Sequence, residues 1–231
     1  MLYGFTWDTD NGELAFAISI LPILLTGLIT TLKAALLGFF VACVLGMVFA
    51  VLKGMRSKLV VWPTTVVTEF IRDTPLIVQL FFLYYVLPEY GILLPAFWTG
   101  ALALGIQYSA YISEVYRAGI QAVDHGQREA AKSLDLPPSR TFSHIILPQA
   151  IPRVIPVLGN YLVSITKDVP VLSVVTIVEM LNAAKIIGDQ TFNYLVPLSM
   201  VGGIYLILTI LASALVRLVD VNLPKKGIPL R

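Results

Sequence analysis

From Leu14 to Leu52 the chain carries one charged side chain, Lys33. A helix of that length in water would need a polar face on every turn, and none is present. Thr30-Thr31-Leu32-Lys33-Ala34-Ala35 contains no Gly or Pro turn signal, so a single helix is expected over 18–52. At 1.5 Å per residue it would be roughly 54 Å long, against a hydrocarbon core of ~30 Å. Its first turns then lie in or beyond the outer interface, where Pro22 suits an early helical position or a kink.

Further runs free of Asp, Glu, Lys and Arg follow: Thr74–Pro88, Tyr90–Ser113, Ile145–Thr166 (Arg153 excepted) and Gln190–Val216. Hydrophobic residues make up 57% of the chain and charged residues 13%, too little polar surface to clothe a soluble globule. The expectation is an all-α integral membrane protein with crossings near 18–52, 66–88, 92–117, 150–170 and 194–217. Twelve of the 16 Lys and Arg fall in three places: Lys53, Arg56, Lys58; Arg117, Arg128, Lys132, Arg140, Arg153; and Arg217, Lys225, Lys226, Arg231. With five crossings all three lie on one side, which the positive-inside rule makes cytoplasmic. The acidic N-terminus, with Asp8, Asp10 and Glu13, then faces outward and lacks the basic region of a signal peptide. Trp7, Trp62 and Trp98 fall near the expected interfaces. The chain divides into an external segment 1–17, a transmembrane domain 18–220 and a cytoplasmic tail 221–231. A net charge of +2 gives no field for nucleic acid, and a single cysteine, Cys43, excludes a disulfide scaffold.

The longest polar stretch, within loop 121–148, joins the third and fourth crossings. Asp124 followed by Gln127 reads as a capping box. It opens a short helix from His125 to Leu134 that ends at Asp135, before Leu136-Pro137-Pro138. A second short helix is expected from Ser139 to Leu147-Pro148. A plain connection needs only a few residues; a helix built here suggests a docking partner. His125 and His144 belong to no metal-ligand pattern, so no metal site is expected.

Glu129-Ala130-Ala131, three residues, Asp135, nine residues, Ile145, one residue and Leu147-Pro148 resemble the EAA loop of ABC importer permeases, with Asp135 where the family has Gly. Arg72-Asp73-Thr74-Pro75-Leu76-Ile77-Val78-Gln79-Leu80 is similar to a stretch of the polar amino-acid branch, again with Asp for Gly. Tyr111–Gly119 and Lys167-Asp168 resemble that branch's third and fourth crossings. Val169-Pro170 departs from its usual Thr-Ser and signals a different solute; an ectoine-type branch is one possibility. The resemblance spans about residues 20–220. It implies a type I importer transmembrane domain, paired with a second permease (the same chain or a sister), cytoplasmic ABC ATPases and an external solute-binding protein. The EAA helix, with Arg128, Glu129, Ala130, Ala131 and Asp135, would be the coupling helix. Its terminal residue would adopt a left-handed backbone, which Asp adopts less readily than Gly by ~1 kcal/mol.

Several intramembrane polar residues are candidates for a solute pathway, since such groups pair or line water. Glu69, with Arg72 and Asp73, forms either a gate or an ion-paired elbow that starts a helix at Thr74-Pro75. Gln79 should face the bundle rather than lipid. Gln107 and Tyr108 can offer hydrogen bonds to a solute. Glu114 stands one turn from Arg117 and pairs with it. Lys167 and Asp168, ahead of the helix-breaking Pro170, either hold the two charges of a zwitterion or bridge each other. Gly202-Gly203 permits close helix packing.

No Gly-x4-Gly-Lys-Ser/Thr occurs, so the chain is expected to bind no cofactor, to have no catalytic residue and to leave ATP and Mg to a partner. Two rival functions are weaker. An ion-coupled secondary transporter usually contains internal repeats, and none is found. An intramembrane enzyme would need a base to activate Ser109, Ser113 or Ser164, and no membrane histidine is present.

Overall fold

The computed structural model describes Leu2 and residues 12–223, and its elements are all helices. Most of the external segment 1–17, including Trp7, Asp8 and Asp10, and the tail beyond 223 with Lys225, Lys226 and Arg231 lie outside the described residues.

α1 (Glu13–Lys53) is one uninterrupted helix through Pro22 and Lys33. Its buried face is a ladder of small residues: Gly27, Thr31, Ala35, Gly38, Ala42, Gly46 and Ala50. Small residues at such spacing let two backbones approach closely in an apolar medium. α4 (Ala96–Gln121) packs there in parallel. A Cβ at Gly38 would lie 2.9 Å from Leu104, and one at Gly46 would lie 2.9 Å from Ile112.

α2 (Lys58–Asp73) leaves much of its apolar surface open, with Leu59, Trp62 and Phe70 exposed. It does not run on into the next helix as the expected crossing 66–88 requires. α3 (Leu76–Phe81) continues through a π turn and a 3-10 turn to Tyr90, and the two segments meet at 103°. Pro75 explains the break, because it disfavours a helical conformation at the preceding residue; Thr74 is extended at φ −90°, ψ 127°. The carbonyls released at the bend are recovered by Gln79, whose amide donates to Ile71 O (2.8 Å) and Thr74 O (3.1 Å).

The loop after α4 forms α5 (His125–Ser133). The second short helix expected there is instead the start of the next long one. α6 (Pro138–Arg140), a π segment (Thr141–Ile146), α7 (Leu147–Asp168) and a 3-10 turn (Val169–Val175) follow without a gap, so this helical segment is longer than the expected crossing 150–170. The chain then turns at Thr176, which is left-handed (φ 67°), into α8 (Met180–Thr191) and α9 (Leu195–Asn222). α8 was not expected, because Glu179, Lys185 and Asp189 interrupt its apolar pattern. Burial of one face holds it against α1 and α9: Phe16, Ile20, Ile23 and Leu24 form a core with Met180, Ala183, Ala184, Ile187 and Val201. The second core joins α1, α4, α7 and the 3-10 turn around Leu104, Ile112, Ile165 and Leu172.

By length and composition α1, the Pro138–Val175 segment and α9 can each cross a membrane, and the bent α2–α3 pair makes a fourth candidate. α4 is less apolar but is enclosed by its neighbours, with Gln107, Ser109 and Ser113 all buried.

Candidate functional site: a polar ladder and a capped loop helix

Polar side chains from four helices line up along α4. The Tyr108 hydroxyl donates to Asp168 Oδ2 at 2.6 Å. Tyr161 of α7 stands edge-on to Tyr108 (5.9 Å, 76°) and stacks on Tyr111 (6.2 Å, 29°). The Arg72 guanidinium sits 5.7 Å from the centre of the Tyr111 ring, within cation–π range, and pairs with Glu69 at 3.1 Å. One turn beyond Tyr111, Glu114 accepts from Lys53 at 2.7 Å and from Arg117 at 3.4 Å. The Lys53 side chain is 2% exposed, so Glu114 is its neutralising partner in a desolvated place.

Each expected pathway residue has a definite position. Glu69 and Arg72 form the ion pair at the elbow. Gln79 braces the elbow and its Nε2 meets the Gln107 amide at 2.5 Å, while its buried Oε1 has no hydrogen-bond partner among the described residues. Lys167 and Asp168 diverge, as neighbours on a helix must, being about 100° apart. Asp168 faces Tyr108, whereas Lys167 lines a cavity of about 330 Å³ with Pro170, Gly202, Tyr205 and Thr209. The Lys167–Asp168 bridge is not among the ion pairs of the described residues.

Sequence reasoning missed Glu179, Tyr111 and Tyr161. Glu179 is fully buried and caps α8 by accepting from Leu181 N (2.9 Å) and Asn182 N (2.7 Å). Its position as the acidic residue before a run of good helix formers was the available signal.

α5 starts after Asp124 as its sequence suggests, but the Gln127 arm of the expected capping box does not form: Gln127 Oε1 accepts from Gln149 Nε2 at 3.3 Å. Asp124 Oδ1 accepts from Gly126 N at 2.7 Å. At the other end Asp135 is left-handed (φ 54°), with Leu136 N bonded to Ala131 O and Asp135 N to Lys132 O, both at 3.0 Å; this is the Schellman closure. Ala131 is buried, while Glu129, Ala130 and Leu134 are exposed. Glu129 contacts His125 at 3.1 Å. Arg128 turns inward and donates to Ile120 O at 3.0 Å, fixing α5 to the end of α4. Asp135→Gly is expected to preserve hydrogen-exchange protection at Leu136, whereas Asp135→Ile should lower the stability of this turn by about 1–2 kcal/mol. Equal protection in the two variants would refute the left-handed closure.

The model of the family described as binding-protein-dependent transport system inner membrane component matches residues 42–223. A Sinorhizobium fredii protein named a probable amino-acid ABC transporter permease is 88% identical over 231 residues, the whole of both chains. The arginine transport system permease of Bacillus subtilis is 33% identical over 91% of this chain and 96% of its own. Among solved structures, an amino acid ABC transporter superposes with a TM-score of 0.87 at 35% identity, covering 93% of this chain and 100% of that one. An inward-facing methionine ABC transporter shares the fold, with a TM-score of 0.67 at 17% identity over 87% of this chain and 97% of its own. The chain belongs to the binding-protein-dependent transport system inner membrane component family, as an amino-acid ABC transporter permease of the type I importer fold.

Proposed function

We propose that the chain crosses the bacterial inner membrane five times, N-terminus out, and forms half of the translocation pathway of an ATP-driven importer for an amino acid or related zwitterion. The observation that carries this reading is α5: a capped helix on the α4–α7 loop, closed at both ends, presenting Glu129 and Ala130 outward. A helix that only linked two crossings would need neither cap nor exposed apolar Leu134. It lies on the side of the molecule that carries Lys53 and Arg117, which supports the cytoplasmic placement. There it would sit in a groove of an ABC ATPase and pass on its motion. ATP binding would close the ATPase dimer and open the pathway outward, and hydrolysis would return it inward. Solute would arrive from an external binding protein.

A second permease, identical or a sister, would cover the α9 face at Gly202 and Gly203, where an added Cβ meets nothing within 4 Å. The Lys167 cavity opens on the same face and Asp168 is not in its lining, so Lys167 and Asp168 are separate candidates for the pathway, Asp168 at its place beside Tyr108. Tyr108→Phe, which frees the Asp168 carboxylate from its donor, is expected to change KM for uptake about tenfold, in line with loss of a hydrogen bond to a charged group. An unaltered KM would remove Asp168 from the pathway.

Mild-detergent purification from the native host, followed by mass spectrometry, tests the assembly. Co-elution of an ATPase with a P-loop is expected, with amino-acid uptake that stops when ATP is withdrawn. Uptake driven by an ion gradient with the chain alone would favour a secondary transporter instead.

A further inference from the structure

Between the tyrosine stack and the docking helix lies a cavity of about 560 Å³, lined by Arg72, Tyr111, Glu114, Ala118, Arg153 and Tyr161 among others. Small-molecule sites occupy ~300–1,000 Å³, so it is large enough for an amino acid. Its walls carry both signs of charge. Arg72 spends one nitrogen on Glu69, and its buried Nε has no hydrogen-bond partner among the described residues. Arg153 donates to the Ala122 carbonyl. The Glu114 side chain remains 41% exposed although Lys53 and Arg117 reach it, which leaves room on the carboxylate for another donor. The rings of Tyr111 and Tyr161 form an aromatic wall beside these charges. The charged side chains of the lining are two cations, Arg72 and Arg153, and one carboxylate, Glu114, which Lys53 and Arg117 already pair, so the lining carries an excess of positive charge and attracts anions.

We propose that this cavity is a solute site on the docking-helix side of the pathway, separate from Lys167 and Asp168, and that it holds an α-amino acid by its zwitterionic backbone. The carboxylate lies toward Arg72 and Arg153, whose planar guanidinium groups match its two oxygens. The ammonium lies toward Glu114 and the faces of Tyr111 and Tyr161. The assignment rests on the transport reading above. It adds a link to coupling: Arg153 also holds the carbonyl of Ala122, two residues before the Asp124 cap of α5. An occupant of the cavity and the root of the docking helix thus share one side chain.

The test uses a thiol introduced into the cavity. Cys43, the one cysteine of the chain, is replaced by Ala, and Val157→Cys is added, since Val157 lines the cavity; Ala118→Cys serves as a second reporter if the first does not assemble. The full chain, with the subunits it purifies with, is placed in nanodiscs. It is then reacted with an anionic (sulfonatoethyl) or a cationic (trimethylammonium-ethyl) methanethiosulfonate. After normalisation to a free thiol, the anionic reagent is expected to react on the order of tenfold faster. Arg72→Gln and Arg153→Gln should each reduce that ratio. Glycine, the minimal zwitterion, should slow the reaction, and glycinamide, which lacks the carboxylate, should not. A ratio at or below one, or equal protection by glycine and glycinamide, overturns the site. Amino-acid uptake is measured on the same complex in proteoliposomes. Protection without uptake leaves the cavity site standing and defeats the transport reading, whereas uptake without charge selectivity defeats the site alone.

Discussion

Gly27→Val is expected to cut solute uptake more than about tenfold and to lower the thermal stability of the purified chain. A Cβ at position 27 would lie 2.7 Å from Met180 Cα, 2.9 Å from Met180 N and 3.1 Å from the Glu179 carbonyl carbon. These are backbone atoms, so no change of rotamer relieves the clash, and α8 must move off α1. The junction that would open is polar and buried. Thr31 Oγ1 accepts from Met180 N at 3.3 Å, Glu179 caps the first amides of α8, and the Tyr205 hydroxyl reaches Glu179 Oε2 at 3.4 Å. Overpacking alone costs about 1–3 kcal/mol, and exposing a buried carboxylate and free amides to an apolar surround adds to it. Leu25→Val, at an exposed position of the same helix, should behave as wild type. Wild-type melting and uptake for Gly27→Val would show that α8 does not depend on this close approach.

The sequence was most informative where one local cause decides the outcome. A long apolar run with no Gly or Pro beside its one charge, Lys33, gave α1 as a single helix, and Asp124 set the start of α5. The motif position of Asp135 gave a left-handed residue at its end. It was least informative where direction or distant pairing decides. Glu69, Arg72 and Asp73 marked an elbow at Thr74-Pro75 as one alternative, but a straight crossing over 66–88 does not allow the 103° bend that the chain makes there. Hydropathy reports what surrounds a segment and not where the segment points. α8 was hidden because its charges divide between two surroundings: Glu179 is buried against the first amides of the helix, whereas Lys185 and Asp189 lie on its exposed face. The pairs Lys53–Glu114 and Tyr108–Asp168 join residues 61 and 60 positions apart, and only the packing of α1, α4 and α7 brings them together. Gln79 bonds the carbonyls of Ile71 and Thr74 at the bend, partners that its place in an apolar run does not indicate.

The orientation of α5 leads to the other large effect: Ala130→Trp is expected to lower uptake by about a hundredfold while membrane insertion and melting stay unchanged. Ala130 is exposed and Ala131 is 1% exposed, packed inward, so adjacent alanines of one motif answer to different surroundings. A bulky side chain at 130 adds volume only where an ATPase would dock. At an interface of close-packed quality, a displacement that weakens the contact by about 2.7 kcal/mol is a hundredfold. Ala131→Trp should instead destabilise the chain itself, because it forces a large ring into the packing between α5 and the α4–α7 connection. Arg128→Ala belongs with the second group, since Arg128 bonds Ile120 O within the chain. Glu129→Ala, which removes an exposed charge, should lower solute-stimulated ATPase activity by about tenfold without affecting stability. The discriminating measurement is the pair of readouts, melting temperature and solute-stimulated ATPase, across these four variants. If Ala130→Trp and Glu129→Ala both retained full stimulation, the outward face of α5 would not be the docking face. The motion of the ATPase would then have to enter through another part of the α4–α7 loop, with Phe142 its next exposed apolar side chain.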